Sequence, residues 1–444
     1  MNRQQFWTLI AMILGSGIVF LDSTVVNIAL PALSRDLGAR FADLQWIVDS
    51  YLLSLSALIL IAGSLGDILG RKRIYLIGLA GFGITSALCG IAWSIPILIL
   101  MRILQGICAA LLVPGGLAII NTNFPAGLRS VAIGRWAAWS GVSTIIGPFV
   151  GGYLIDTFSW RWIFFINIPL VAFCFALAYL YAQESRDERP RSIDYAGSVL
   201  AAVFLACITY GLIEGPASSW AMVPLSATLL GIVFFIAFII IESRRHDPLV
   251  NLRLFAIRNF LGANLATFAM YGALSGFFFA LVVYLQTIAG YSSMLAGLSL
   301  IPATLLLLAF SGRMGTYVER FGPRIFMTLG PILAGLGILM LMHLSPHLNY
   351  FTQVLPGVLL FGVGLTFTVT PLTVTVMNSV SQGDSGIASG INNAVSRVAG
   401  LIVIALLGIL GASDVYPFAI ALCGVLAIAA GCMSWLVIRN MPRI

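Results

Sequence analysis

The feature that most constrains this chain is a succession of 14 apolar runs, each long enough to cross a lipid bilayer. A helix of roughly 20 apolar residues spans the hydrocarbon core of a membrane. Only 9% of the 444 residues are charged, whereas about 25% are charged in soluble domains. We therefore expect an all-α polytopic membrane protein with 14 spans. The runs lie near residues 7–31, 46–66, 74–93, 96–119, 134–155, 162–182, 195–213, 222–241, 260–286, 293–312, 325–343, 351–376, 388–410 and 416–437.

Polar segments divide these runs into groups of six, two and six. Charged residues 184–194 and polar residues 242–258 flank the two central runs. In the last group, the stretch Gly315 to Arg324 repeats the glycine and charge spacing of the stretch Gly63 to Arg73 in the first group. Such repeats indicate two pseudo-symmetric six-helix bundles, here with two extra central transmembrane helices between them. The predicted domains are residues 1–183, the linker 184–258 with the extra helices, and residues 259–444.

The cationic residues predict the orientation of the chain. The net charge is +7, and Arg and Lys accumulate in alternate loops, whereas Arg35, Arg40 and Arg161 fall in the opposite set. Because cations collect in cytoplasmic loops, we expect both termini in the cytoplasm. The cations are scattered rather than gathered in a patch, so no nucleic-acid partner is expected. The 6 Cys residues fall inside apolar runs without metal-ligand spacing, and no metal site is expected.

The densest cluster of glycine and charge, Gly63 to Arg73, lies between the second and third runs. Gly63 and Gly70 permit a sharp turn and close helix contact. Asp67, at a predicted helix end, needs a cation or a helix N-terminus as its partner, and Arg71 and Arg73 follow it. The stretch is therefore a candidate conformational latch. The alternative is an ordinary basic turn that only sets orientation.

Ionisable side chains inside apolar runs are costly to bury and mark candidate functional sites. The second bundle has no deep acid, because Asp384 and Asp414 fall in predicted loops or at the interface. The intramembrane candidates are Asp22, Asp49, Arg102, Arg397 and, near the end of the seventh run, Glu214.

Asp22 lies near the middle of the first run. Burial disfavours the charged form of a carboxyl group, so Asp22 is a candidate proton carrier. The alternative is a structural acid hydrogen-bonded to Ser23, Thr24 or a neighbouring helix. Arg102, in the fourth run, requires a carboxylate or carbonyl partner and would favour the charged form of a nearby proton carrier. A plain buried ion pair is the alternative interpretation of Arg102.

Asp49 lies between Trp46 and Tyr51 in the second run. A carboxylate near aromatic rings attracts a lipophilic cation by its charge and by the ring faces. Alternatively, the two aromatic residues belong to the belt at the membrane interface and Asp49 is hydrated.

The fifth run contains the stretch Gly147-Pro148-Phe-Val-Gly151-Gly152, which combines a kinking proline with small residues. Such a helix can bend or seal against a partner, and simple close packing is the alternative. The segment Trp160 to Pro169 that follows is expected to form an aromatic anchor at the outer interface.

Taken together, six segments resemble the fourteen-helix drug:proton antiporter family of the major facilitator superfamily. They are Leu21 to Pro31, Gly63 to Arg73, Arg102 to Gly106, Gly147 to Gly152, Trp160 to Pro169 with Asn167, and Gly211 to Gly215. The resemblance implies a proton-coupled efflux transporter, not an enzyme, that exports lipophilic, cationic drugs or secondary metabolites by alternating access. It uses the proton gradient and no cofactor. A monomer in a bacterial inner membrane is expected.

One residue departs from the resemblance. Ile68 stands where a basic residue often follows the loop aspartate in the family. Two other functions fit the same residues: dedicated export of one endogenous metabolite, such as an amino acid or a lipid-like molecule, and a membrane receptor without transport. The resemblance also implies roles for individual residues. Proton coupling is assigned to Asp22, Arg102 and Glu214. Substrate binding is assigned to Asp49, Trp46, Tyr51, Asn27 and Gln105, and gating is assigned to Gly63, Asp67, Gly70, Arg71, Arg73, Gly147, Pro148, Gly151 and Gly152.

Overall fold

The protein is helical in a computed structural model that describes residues 1–186, 194–245, 248–380, 385–410 and 415–440. These ranges contain no β-strand. Asp384, Asp414 and the predicted linker residues 187–193 and 246–247 lie outside them. The α-helices are α1 (Arg3–Leu37), α2 (Phe41–Leu69), α3 (Arg71–Gly90), α4 (Ile95–Asn123), α5 (Ala126–Thr157), α6 (Trp162–Phe165), α7 (Asn167–Tyr181), α8 (Tyr195–Ala217), α9 (Met222–Arg244), α10 (Arg258–Thr287), α11 (Ser293–Leu298), α12 (Ile301–Phe321), α13 (Pro323–Leu339), α14 (Leu355–Asn378), α15 (Ser385–Leu406) and α16 (Val415–Val437).

The helices are those of a multi-pass membrane protein. In lipid a chain must satisfy its backbone hydrogen bonds internally, which a helix does along its own length. Among the described residues, 11 helices are long and apolar enough to span a membrane, or 12 when Phe41–Ile59 and Ile61–Leu69 of α2 form one span. α13 is apolar but has only 17 residues, and α5 is not among those counted. The count of 14 spans therefore stays a prediction.

The chain divides into two compact units that do not follow chain order. The first comprises Met1–Gly211, Leu225–Leu249 and Ser292–Met294. The second comprises Leu212–Pro224, Val250–Tyr291 and Leu295–Ile444. Most of α8 and α9 belongs to the first unit, and the domain boundaries at residues 183 and 258 stay a prediction.

Within the first unit, α1 and α4 are the central helices. α1 packs against α4, α5 and α7, and α4 also packs against α2 and α3. The aromatic segment after α5 is tied to α1, because the indole nitrogen of Trp160 donates to Asp36 over 2.7 Å and Arg161 also pairs with Asp36. The buried acidic and cationic side chains among the described residues all belong to this unit. They are Asp22, Asp49, Arg102, Asp194 and Glu242.

Close helix contact and uncharged polar groups characterise the second unit. α10 packs against α15 and α16, and α13 packs against α14 and α16. A Cβ on Gly357 of α14 would lie 2.8 Å from the carbonyl oxygen of Gly337 on α13, so these helices touch through their backbones. The predicted lack of a deep acid holds for the described residues of this unit. Their buried polar side chains are Asn264, Thr267, Ser299, Thr366, Thr368, Thr375 and Ser434.

The internal repeat recurs as a structural motif. Gly70, with φ 110°, is the single residue between α2 and α3, and Gly322, with φ 80°, is the single residue between α12 and α13. In each case a distant side chain accepts from the backbone at the start of the second helix. Glu184 accepts from the Lys72 nitrogen over 2.9 Å, and Asn440 accepts from the Arg324 nitrogen over 3.2 Å. The two stretches therefore share one construction.

Candidate functional site

A buried ion pair between α1 and α4 forms the centre of the candidate site. Arg102 Nη1 lies 2.6 Å from Asp22 Oδ2, and each side chain is about 1% exposed. Two charges removed from water are tolerated only when each compensates the other and their remaining hydrogen-bonding groups are satisfied. Asp22 and Arg102, which were predicted separately, are thus direct partners across 80 residues of chain.

Two amide side chains bind the other carboxylate oxygen of Asp22. Gln105 Nε2 donates to Asp22 Oδ1 over 3.0 Å, and Asn167 Nδ2 donates to the same oxygen over 3.2 Å. Arg102 Nη1 also donates to Gln105 Oε1 over 2.8 Å. Arg102 and Gln105 are three residues apart on α4, so they share one helix face. The hydroxyls of Ser23 and Thr24 donate to carbonyl oxygens of α1 itself. Among the described residues, the hydrogen bonds to the Asp22 carboxylate therefore come from neighbouring helices and not from these two side chains.

The α2 helix covers the rest of the Arg102 guanidinium. Arg102 Nε donates to the Ile47 carbonyl oxygen over 3.2 Å, and the guanidinium carbon lies 4.1 Å from the centre of the Tyr51 ring. A cation over a ring face gains electrostatic energy from the π-system. Tyr51 is buried beneath Arg102 rather than placed in an interface belt.

Gly106 permits this contact between α2 and α4. A Cβ at that position would collide with the Tyr51 carbonyl oxygen and with Ser54 Oγ. The stretch from Arg102 to Gly106 therefore combines the charge, its amide partner and the small residue that brings α2 close enough to bind the guanidinium.

Asn167 and Ser86 extend the network to α7 and α3. Asn167 Nδ2 lies 3.0 Å from Ser86 Oγ, which donates to the Phe164 carbonyl oxygen over 2.9 Å. The Cys89 thiol also donates to Gln105 Oε1 over 3.6 Å. Sequence analysis placed Asn167 in an outer anchor and did not identify Ser86. The only available signal was an amide and a hydroxyl within otherwise apolar runs.

The remaining side chains predicted to bind substrate lie nearby in the first unit. Asp49 is 0% exposed, and neither of its oxygens has a hydrogen-bond partner among the described residues. Burial excludes the interpretation that Asp49 is hydrated. The Trp46 ring lies 6.3 Å from that of Tyr210. Asn27 donates to the Ser23 carbonyl oxygen of its own helix over 3.2 Å.

Glu214 belongs to the segment Leu212–Pro224 of the second unit, whereas Asp22 and Arg102 belong to the first. Of the three residues predicted for proton coupling, the structure pairs Asp22 with Arg102.

The turn between α2 and α3 is clamped by the segment after α7. Glu184 accepts from the backbone nitrogens of Lys72 and Arg73 over 2.9 and 3.0 Å, and a Cβ on Gly70 would lie 2.8 Å from Glu184 Cδ. A carboxylate at a helix N-terminus satisfies unpaired backbone donors and the helix dipole. Asp67, in the last turn of α2, pairs with Arg71 over 2.8 Å.

Four of the five predicted gating glycines have a clear steric reason, and Gly63 does not. A Cβ on Gly147 would collide with Thr24 Oγ1, and one on Gly151 would lie 2.6 Å from a Val25 methyl carbon, so α5 packs directly beside Asp22 on α1. Gly70 adjoins Glu184 as described. The nearest atom to a Cβ on Gly63 is 3.8 Å away, an ordinary contact. A Cβ on Gly152 would lie 2.5 Å from Met294 Cα, and Pro148 lies inside α5.

Chemically, the carboxylate of Asp22 can hold either a charge paired with Arg102 or a proton. Protonation would remove the charge that compensates the buried guanidinium. The carboxyl group and Arg102 would then have to separate or find other partners, which would alter the packing of α1 against α4.

Comparison with known proteins agrees with the fold. The profile of the Major Facilitator Superfamily matches residues 12–404. The chain is 34% identical over 416 residues to the tetracenomycin C resistance and export protein of Streptomyces glaucescens, covering 92% of this chain and 77% of that protein. It is 36% identical over 410 residues to multidrug resistance protein Stp of Mycobacterium tuberculosis, covering 92% and 76%. A crystal structure of a POT family transporter superposes with a TM-score of 0.74 at 13% identity, covering 97% of this chain and 95% of that one, which shows a shared fold alone.

Proposed function

Because the chain belongs to the Major Facilitator Superfamily, we propose that it is a proton-coupled antiporter that exports lipophilic, cationic drugs or secondary metabolites by alternating access. The names of its relatives, one a resistance and export protein and one a multidrug resistance protein, support drug export. The proton gradient drives transport without a cofactor.

The observation that carries the proposal is the buried pair of Asp22 and Arg102. A proton and the guanidinium compete for one carboxylate in a site where neither charge can be left alone. Proton uptake by Asp22 therefore releases the contact between α1 and α4 that the ion pair maintains. When Asp22 gives up the proton after the conformational change, the ion pair can form again, because the carboxylate and the buried guanidinium each need a counterion. Glu214 is a second group for proton transfer.

Asp49 is the proposed recognition group for a cationic substrate. Its oxygens are buried without hydrogen-bond partners among the described residues, an arrangement that costs free energy unless the group takes up a proton or a cation. Trp46 and Tyr51, three residues before and two residues after it in α2, supply aromatic surface, and Asn27 and Gln105 supply amides. The buried side chains of the described second unit carry no charge, so recognition of positive charge falls to the first unit.

Gating is assigned to the two glycine-rich stretches. Gly147 and Gly151 bring α5 against the turn of α1 that follows Asp22, and a kink at Pro148 allows that contact to change. The α2–α3 turn, clamped by Glu184, acts as a latch.

The membrane arrangement follows the same proposal. Adding α5 and α13 to the 12 candidate spans makes 14, the number typical of the drug:proton antiporter branch. Both termini lie in the cytoplasm, and the protein works as a monomer in a bacterial inner membrane.

The test is transport by purified protein in proteoliposomes with an imposed pH gradient. Ethidium serves as a fluorescent lipophilic cation, and tetracenomycin C serves as a single-compound probe. The wild type is expected to move ethidium only when the gradient is present, and Asp22→Asn is expected to abolish that movement. Asp43→Asn is a matched control, because Asp43 pairs with Arg40 outside the buried network.

Each contrary outcome excludes a part of the proposal. Gradient-driven ethidium movement by Asp22→Asn equal to that of the wild type would rule out Asp22 as the proton carrier. Transport of tetracenomycin C alone, without competition by other lipophilic compounds, would favour a dedicated metabolite exporter. Movement of neither probe would remove polyspecific cation efflux from consideration.

A further inference from the structure

The Ser86 hydroxyl fixes the orientation of the Asn167 side chain. Ser86 Oγ donates its one hydrogen to the Phe164 carbonyl oxygen over 2.9 Å. Toward Asn167, 3.0 Å away, the same oxygen can therefore only accept. The NH₂ group of Asn167 must face Ser86, and its oxygen must face away.

With this orientation, Asn167 can only donate toward Asp22. One NH₂ hydrogen goes to Ser86 and the other goes to Asp22 Oδ1 over 3.2 Å. Asn167 Oδ1 is buried and has no hydrogen-bond partner among the described residues. A donor held against a carboxyl group stabilises the charged form more than the protonated form, because the carboxylate oxygen is a stronger acceptor than the carbonyl oxygen of the neutral group.

We propose that Asn167, oriented by Ser86, is a positioning residue that weakens the hold of Asp22 on its proton. This inference rests on the proposed function in one respect, namely that the proton held by Asp22 is the one that is transported. Asn167 acts through Asp22 and does not itself exchange the proton.

The other groups that face Asp22 are few, so the contribution of Asn167 is separable. Among the described residues, α4 contributes Arg102 and Gln105, and α5 presents Gly147 and Gly151 to α1. The titratable groups next to that shell are Cys89 of α3, bonded to Gln105, and Tyr51 of α2, under Arg102. Tyr75 and Cys174 bond the carbonyl oxygen of Ala11, about three helical turns away.

The test is an infrared pH titration of the reconstituted protein without substrate. The C=O stretch of a protonated carboxyl group is followed, and the band of Asp22 is assigned by its loss in Asp22→Asn. Asn167→Leu keeps the branching and the number of side-chain heavy atoms and removes the donor. It should raise the pH at half-protonation of Asp22 by about one unit, roughly a tenfold weaker acid. Ser86→Ala, which frees the amide to rotate, should raise it by a smaller amount.

Thr85→Val is the matched control. The buried Thr85 hydroxyl donates to carbonyl oxygens of its own helix, at Gly81 and Phe82, and has no hydrogen bond to the residues around Asp22 among the contacts described. Its midpoint should equal that of the wild type. If Asn167→Leu does not fold, Ser86→Ala decides, because it leaves Asn167 in place. Unchanged midpoints in the variants that fold would overturn the inference, as would an Asp22 band that never appears down to the lowest pH at which the protein stays folded.

Ethidium transport by the wild type under a pH gradient is measured in parallel. Shifted midpoints without gradient-driven transport would refute the proposed function and leave the role of Asn167 standing. Gradient-driven transport with unshifted midpoints would support the proposed function and refute the role of Asn167.

Discussion

Removing one member of the Asp22–Arg102 pair should cost far more stability than removing both. Both side chains are about 1% exposed and their charged atoms are 2.6 Å apart, so a lone charge would stay buried. Breaking a buried pair in this way lowers the free energy of unfolding by about 3–5 kcal/mol. Replacing both charges with neutral side chains of similar volume is often neutral or stabilising.

The two single variants should differ, because only one of the charges can be neutralised. In Asp22→Asn, the guanidinium keeps the Ile47 carbonyl oxygen and the Tyr51 ring but loses its counterion, and it cannot lose its proton. In Arg102→Met, Asp22 can take up a proton and become neutral. We therefore expect the larger loss in Asp22→Asn, a smaller loss in Arg102→Met, and near wild-type stability in the double variant.

The assay is chemical unfolding of the purified protein in detergent micelles, followed by tryptophan fluorescence, for the wild type, both single variants and the double variant. The four unfolding free energies form a double-mutant cycle. Because the double variant should cost almost nothing, the coupling term should be at least as large as the cost of Asp22→Asn alone, about 3–5 kcal/mol. If the costs of the two single variants simply add in the double variant, the side chains do not interact and the reasoning is refuted.

Four further substitutions test the packing around the site. Gly106→Ala should lower the free energy of unfolding by about 1–3 kcal/mol, because the added Cβ meets the Tyr51 carbonyl oxygen. Gly63→Ala is the control and should leave the free energy of unfolding within about 0.5 kcal/mol of the wild type. Equal losses in the two variants would contradict the steric argument. Gly70→Ala should cost about 1–2 kcal/mol by the same unfolding measurement, because a φ of 110° disfavours any residue with a Cβ. Glu184→Ala should lower the free energy of unfolding by about 1 kcal/mol and speed amide hydrogen exchange at the start of α3, because it removes the acceptor for two backbone nitrogens. Unchanged exchange there would show that Glu184 does not clamp the α2–α3 turn.

The sequence by itself predicted the helices and the costly charges within them. Each helix satisfies its backbone hydrogen bonds through neighbours four residues away, so an apolar run of sufficient length determines a span without reference to the rest of the chain. Asp22 and Arg102 stood out for a similar local reason, since a charge in an apolar run carries a large transfer penalty wherever its partner lies. The repeated glycine and charge spacing of Gly63 to Arg73 and Gly315 to Arg324 also reappears as two similarly built turns.

Only the tertiary structure decided which of these residues meet. The partners of Asp22 come from α4 and α7, and the acceptor at the start of α3 comes from Glu184 after α7. These pairings depend on which helix faces pack together, and that is a property of several distant segments at once. Ser86 escaped notice, and Asn167 was placed in the outer anchor, because a buried hydroxyl or amide costs little once it is hydrogen-bonded. The importance of both residues lies in their neighbours and not in their position along the chain.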